Sequence, residues 1–94
     1  MGQVMTIDEL QIRASDVTGQ RSMPARAPRQ GTIHELVQRL IGEMGLKSKD
    51  ADGNPYAYRA RLEREGRHLN ASEVIGEVLR TDDHLVLQPN VDAG

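Results

Sequence analysis

From Thr32 to Gly45 the chain reads TIHELVQRLIGEMG, and Ile33, Leu36, Val37, Leu40, Ile41 and Met44 recur at i, i+3, i+4, i+7, i+8 and i+11. That spacing is the period of an α-helix carrying one continuous apolar stripe. Thr32 with Glu35 three residues later makes a capping box, and Gly45 with apolar Leu46 behind it provides a left-handed stop. The spacing predicts a helix over 32–45 that must lay its stripe on another apolar surface.

The segments around this helix alternate with period two. Leu10, Ile12 and Ala14 alternate with Glu9, Gln11 and Arg13, as in a half-buried strand. Thr18-Gly19-Gln20 supplies a turn, and a second extended segment follows through Met23, Ala25 and Ala27. Pro24 and Pro28 restrict it to a sheet edge or a loop. Lys47 to Pro55 is a polar loop with an Asp52-Gly53 turn signal, after which Tyr56, Tyr58 and Ala60 alternate through Leu62 as a further strand. Glu65-Gly66-Arg67 turns the chain towards Leu69. Asn70 with Glu73 offers a second capping box before Val74, Ile75, Val78 and Leu79, but Gly76 and the valines argue for a short or distorted helix. His84-Leu85-Val86-Leu87 reads as the last strand, stopped at Pro89, with a patternless tail after it.

Composition limits what these elements can build. With 94 residues there is room for one core, and it must be aliphatic, since there is no Phe, no Trp and only Tyr56 and Tyr58. Fourteen acids against twelve bases leave a net charge of −2, so no global positive field exists to attract nucleic acid or a membrane surface. The absence of Cys removes disulfides and thiol catalysis. Asp8 and Glu9 stand where a signal peptide needs its apolar run, and no 18 apolar residues run together. A cytoplasmic monomer is expected. Nor is an enzyme indicated. His34-Glu35 starts like a zinc motif but Gln38 stands where the second His is needed, and the Asp50 to Asn54 stretch lacks a calcium loop's glycine spacing and final acid. No catalytic residue, metal site or cofactor follows from these patterns.

The order strand, turn, strand, long helix, strand, short helix, strand suggests a small mixed sheet with the helix across one face. Two segments sharpen this: Gly66-Arg67-His68-Leu69 is similar to ubiquitin's G-K-Q-L, and His84-Leu85-Val86-Leu87 repeats its H-L-V-L. The chain thus resembles ubiquitin and the β-grasp family over roughly residues 9 to 94. The resemblance implies an α+β, ubiquitin-like β-grasp fold with a mixed sheet and one main helix packed across it. It implies a flexible N-terminus over 1–8, a domain over 9–88 and a flexible tail over 89–94. Leu36, Leu40 and Ile41 are expected to bury against Leu62, Leu69, Leu85 and Leu87.

Two threadings of the last strand differ. Matching H-L-V-L literally leaves the tail two residues longer than ubiquitin's. Placing Leu85 and Leu87 as the two inward leucines aligns QPNVDAG on V-L-R-L-R-G-G and puts Ala93-Gly94 on the diglycine; inward alternation favours this second alignment. The function implied is a ubiquitin-like modifier of bacterial type. Gly94, preceded by small Ala93, would be activated by an adenylating enzyme and conjugated to targets, with Pro89, Asn90, Val91 and Asp92 recognised as the tail. Its partners would be that enzyme, a conjugating enzyme and a deconjugating peptidase, which bring the ATP and thiol, so the chain needs no cofactor. Lys47 and Lys49 are the only lysines for chain linkage.

Departures from ubiquitin matter too. Its receptor patch maps onto Glu63 and Gln88, which excludes its ordinary receptors, and its tail arginines map onto Asn90 and Asp92. Arg21, Arg26 and Arg29, with no acid between them, read as a solvated edge or, with Glu63 and Gln88, as a partner surface. The alternatives are a non-covalent β-grasp module, such as those beside bacterial secretion systems, and a sulfur carrier with a thiocarboxylate at Gly94, against which Ala93 counts.

Overall fold

Seven elements follow one another in the computed structural model, which describes residues 8–47, 49, 51–53 and 57–90. They are β1 (Glu9–Asp16), β2 (Ser22–Pro28), α1 (Ile33–Met44), β3 (Ala57–Leu62), β4 (Arg67–His68), α2 (Ile75–Val78) and β5 (His84–Asn90). The sheet order is β2-β1-β5-β3-β4. Only β1 and β5 run parallel, side by side at the centre, and every other neighbour is antiparallel. The mixed sheet with one main helix is therefore present.

Alternation decides which face is covered. Leu10, Ile12, Ala14, Ala25, Ala27, Ala60, Leu62, Leu85 and Leu87 all point to the side on which α1 lies, and all are buried. From the helix come Ile33, Leu36, Val37, Leu40 and Met44, while Ile41, expected in the core, is only partly buried at its margin. Four alanines on the inner face of the sheet let the helix approach closely. Burying an aliphatic side chain contributes about 1.5–3 kcal/mol, so this layer is the main source of stability.

Helix α1 is capped as the sequence predicts. The Thr32 hydroxyl accepts from the Glu35 N–H and the Glu35 carboxylate accepts from the Thr32 N–H. Gly45 takes φ 67°, and the Gly45 and Leu46 N–H groups return to the Gly42 and Ile41 carbonyls. The last turn holds no basic residue, and Arg21, reaching over from the β1–β2 turn, donates to the Met44 and Gly45 carbonyls at 2.7 and 2.8 Å. A cation there complements the negative end of the helix.

Asp8 lies just before β1, its carbonyl accepting from the Arg29 N–H and its carboxylate from Arg29 Nε at 2.7 Å. Two expectations are corrected. The Asn70 and Glu73 box closes only a turn. Glu73 accepts from the Asn70 N–H at 2.6 Å, but α2 starts at Ile75, after Val74, and has no side-chain cap. The second concerns Pro89, which does not stop β5: the strand runs to Asn90, with Pro89 opposite Tyr58 and Asn90 opposite Ala57. The Glu63 N–H donates to the His84 carbonyl, so even-numbered β5 residues bond to β3 and odd-numbered ones face β1. The β1 ladder ends at Asp16 opposite Leu87. Pro89 thus lacks an N–H on a side where no strand asks for one.

The same parity protects β2, the edge strand. Its even-numbered residues turn their backbone outward, and Pro24 and Pro28 remove half of those N–H groups. Arg39 on α1 donates to the outward Arg26 carbonyl, and the Gly31 N–H occupies that of Pro28. Little of this edge is left for another strand to pair with.

Candidate interaction surfaces

With α1 on the inner side, the outer side of the sheet is uncovered, and the register places its side chains in rows. One row reads Pro24, Arg13, His84 and Glu63, and the next reads Ser22, Ser15, Val86, Arg61 and His68. Gln88 and Arg59 begin a third. Ser15 is buried between strands although polar, and its hydroxyl lies 2.7 Å from His84 Nε2. Among the described residues no carboxylate is hydrogen-bonded to that histidine, so the pair lacks the third group that would orient a base for a nucleophilic serine. Gln88 Oε1 meets His68 Nε2 at 2.6 Å, tying β5 to β4 across β3. Arg13 donates to the Ser22 hydroxyl, Arg61 is paired with Glu63 at 2.8 Å, and Arg26 is 4.0 Å from Glu9.

A second surface lies where β5 ends. Val17, Leu46, Tyr58, Leu87 and Pro89 line an apolar groove of about 340 Å³, rimmed by Asp16, Arg21 and Lys47. Val17 is 51% exposed, the one large hydrophobic so exposed among the described residues. Its turn is fixed by Asp16, which accepts from the Thr18 hydroxyl and the Arg21 N–H. Desolvation pushes the Asp16 carboxyl up, but these hydrogen bonds outweigh it and hold it below its usual value. The Tyr58 hydroxyl donates to the Lys47 carbonyl at 2.8 Å, fastening the loop after α1 beside the groove.

The residues expected to form a partner surface are not brought together. Arg21 caps α1, Arg29 holds Asp8 at the opposite end of β2, and Arg26 lies beside Glu9 with a side chain 73% exposed. Glu63 stands opposite His84 and Gln88 opposite Arg59, two rows apart on the same face. Lys47 and Lys49 are both exposed. Of the tail, Pro89 and Asn90 belong to β5, while Val91, Asp92, Ala93 and Gly94 lie outside the described residues, as does Tyr56.

Sequence reasoning missed the polar centre behind the sheet. Asp83 is 6% exposed and receives two bonds from Arg64, at 2.9 and 3.1 Å, and one from the Arg80 N–H at 2.7 Å. Burial raises the Asp83 pKa, yet Arg64 and the Arg80 N–H more than compensate and leave the carboxyl below its ordinary value. The Val78 carbonyl accepts from the same guanidinium, so Arg64 joins the β3–β4 turn to α2. Among the described residues no group of three or more His, Asp or Glu could hold a metal ion, and no helix is long and apolar enough to cross a membrane.

Parallel first and last strands at the centre, a hairpin on one side, and one long helix across the inner face define the architecture. It is the ubiquitin-like β-grasp fold. A de novo design based on ubiquitin is 21% identical, with a TM-score of 0.67 over 93% of this chain and 96% of that one. Ubiquitin from Caldiarchaeum subterraneum is 15% identical, with a TM-score of 0.65 over 92% of this chain and 99% of that one. The C-terminal ubiquitin-like domain of mouse tubulin-specific chaperone e is 10% identical, with a TM-score of 0.63 over 100% and 99%. No protein-family model matches the sequence, and no curated protein does.

Proposed function

We propose that this ubiquitin-like chain is a protein modifier whose Gly94 carboxylate is adenylated and then joined to target amines. The observation that carries the reading is the ubiquitin-like β-grasp fold with its last strand at the centre of the sheet, after which the small residues Ala93 and Gly94 stand third and fourth in sequence. In the first step the carboxylate attacks the α-phosphate of ATP and releases pyrophosphate. A thiol of the partner enzyme then displaces AMP to form a thioester, and a target amine displaces the thiol to leave an amide. ATP and the thiol come from the adenylating and conjugating enzymes, and a peptidase would reverse the last bond.

Because β5 reaches Asn90, the segment from there to Gly94 spans at most about 13 Å at roughly 3.3 Å per residue. An enzyme that takes hold of Gly94 must therefore come down onto the groove of Val17, Leu46, Tyr58 and Pro89. The test is pyrophosphate exchange into ATP, catalysed by an adenylating enzyme of the ubiquitin-activating type from the same organism. Exchange that requires this chain and is abolished by deleting Gly94 supports the reading, and exchange that persists without Gly94 contradicts it.

A second reading, a non-covalent module, is favoured by the polar outer sheet face and by one structural neighbour. A chain of the ESX-5 inner membrane complex matches with a TM-score of 0.67 at 15% identity, and the match spans 22% of that chain. Full cellular function after deletion of Val91 to Gly94 would select this alternative.

A further inference from the structure

We propose that the uncovered face of the sheet is a docking surface for an extended acidic segment of a partner protein. Charge separation within the fold carries this. The chain as a whole has fourteen acids to twelve bases, yet the outward positions of the strands, with Glu63 just beyond β3, hold Arg13, Arg26, Arg59 and Arg61 against only Glu9 and Glu63. Those two acids stand beside Arg26 and Arg61. Arg13 and Arg59 keep guanidinium groups without a carboxylate partner among the described residues, on either side of Val86. Around that one aliphatic side chain stand Gln88, His84 and the Ser15 hydroxyl, so donors encircle a small apolar centre.

A carboxylate suits these forks because guanidinium bonds it through two parallel N–H groups. Addition to the β2 edge is closed by Pro24, Pro28 and the Arg39 bond to the Arg26 carbonyl, and the arginine side chains project from the face, so the partner lies across it. A nucleic acid fits less well. Tyr58 points inward, and among the described residues no tyrosine lies on this face to stack a base. The surface is independent of the tail, so this proposal stands or falls separately from conjugation.

The experiment is an amide NMR titration of the full chain with a synthetic peptide on the order of ten residues, Asp and Glu around a central Val. Saturable shifts at Arg13, Arg59, Arg61, Val86 and Gln88, weakened as salt rises from about 50 to about 300 mM, are the expected result. Arg13→Glu with Arg59→Glu should weaken binding by at least about tenfold with the dispersed spectrum kept; Arg13→Gln with Arg59→Gln serves if the first pair perturbs folding. No saturation, shifts centred on α1, unchanged affinity in a folded double variant, or tighter binding of a short DNA duplex than of the peptide would each overturn the proposal.

Discussion

The two helices are specified in opposite ways. Helix α1 carries its own instructions, a stripe of period 3.6, a complete capping box and a left-handed stop, and its length matches them. Helix α2 has four residues and no side-chain cap, and what fixes it lies outside it. The Gly76 N–H bonds to the Arg29 carbonyl, the Ile75 N–H to that of Gly31, and Arg64 grips the Val78 carbonyl. A capping box precedes each helix in the sequence, but only the first is followed by a stripe long enough to propagate. A cap satisfies donors at a helix start; burial of a face sustains the helix.

If α1 is the element that holds the fold, truncating its centre should have the largest effect. Leu40 is fully buried, and Leu40→Ala should lower stability by about 2–5 kcal/mol, read from the urea midpoint. An unchanged midpoint would remove α1 from its place in the account. Next comes the support of α2. Asp83→Asn should cost about 2 kcal/mol, less than the roughly 3–5 of a fully buried pair, because Arg64 is still reached by water. Since the Asp83 pKa is lowered by folding, its stabilising contribution is complete above the unfolded carboxyl pKa of about 3.9 and fades as pH falls through the folded value. Urea midpoints between about pH 6 and pH 3 should therefore drop less steeply in Asp83→Asn than in the parent chain.

Smaller effects separate the two helices more finely. A Cβ on Gly76 would stand 3.0 Å from both the Cβ and the carbonyl of Arg29, so Gly76→Ala should cost about 1–3 kcal/mol, whereas an exposed helical Gly→Ala normally stabilises. Amide exchange should show the loss concentrated at Ile75 to Leu79. The two boxes give the last contrast: Thr32→Ala removes a working cap and should cost about 1 kcal/mol. Asn70→Ala should change the midpoint by less than about 0.5 kcal/mol, because it is the Asn70 backbone, not its side chain, that bonds to Glu73. Equal costs for the two substitutions would erase the distinction drawn here.

The same contrast explains what was legible in the sequence. Local periodicity sufficed for β1, β2, α1 and β3, and alternation on β1 already set Arg13 on the side away from Leu10, Ile12 and Ala14. Properties fixed by distant partners were not legible. Arg21 read as part of a solvated edge or of a partner surface because its partners, the Met44 and Gly45 carbonyls, are more than twenty residues away. Asp83 gave no signal because Arg64 meets it only once the β3–β4 turn folds over α2. Pro89 read as a stop because the rule against proline in strands depends on which neighbour faces its missing N–H, and only the register shows that β1 has already ended there. The exposed turn valine Val17 could have been noticed as an apolar residue in a polar turn, but its place beside the end of β5 follows from topology alone.

The modifier reading joins these regions, since it gives a role to the segment beyond β5 and to the groove at its base. The most direct test is intact mass of this chain, ending at Gly94, after incubation with ATP and an adenylating enzyme of the ubiquitin-activating type from the same organism. The account predicts a thiol-sensitive adduct between the two proteins that disappears on deletion of Gly94 while the circular dichroism spectrum is kept. An adduct that survives that deletion, or none at all with an enzyme shown to be active on ATP, would contradict it.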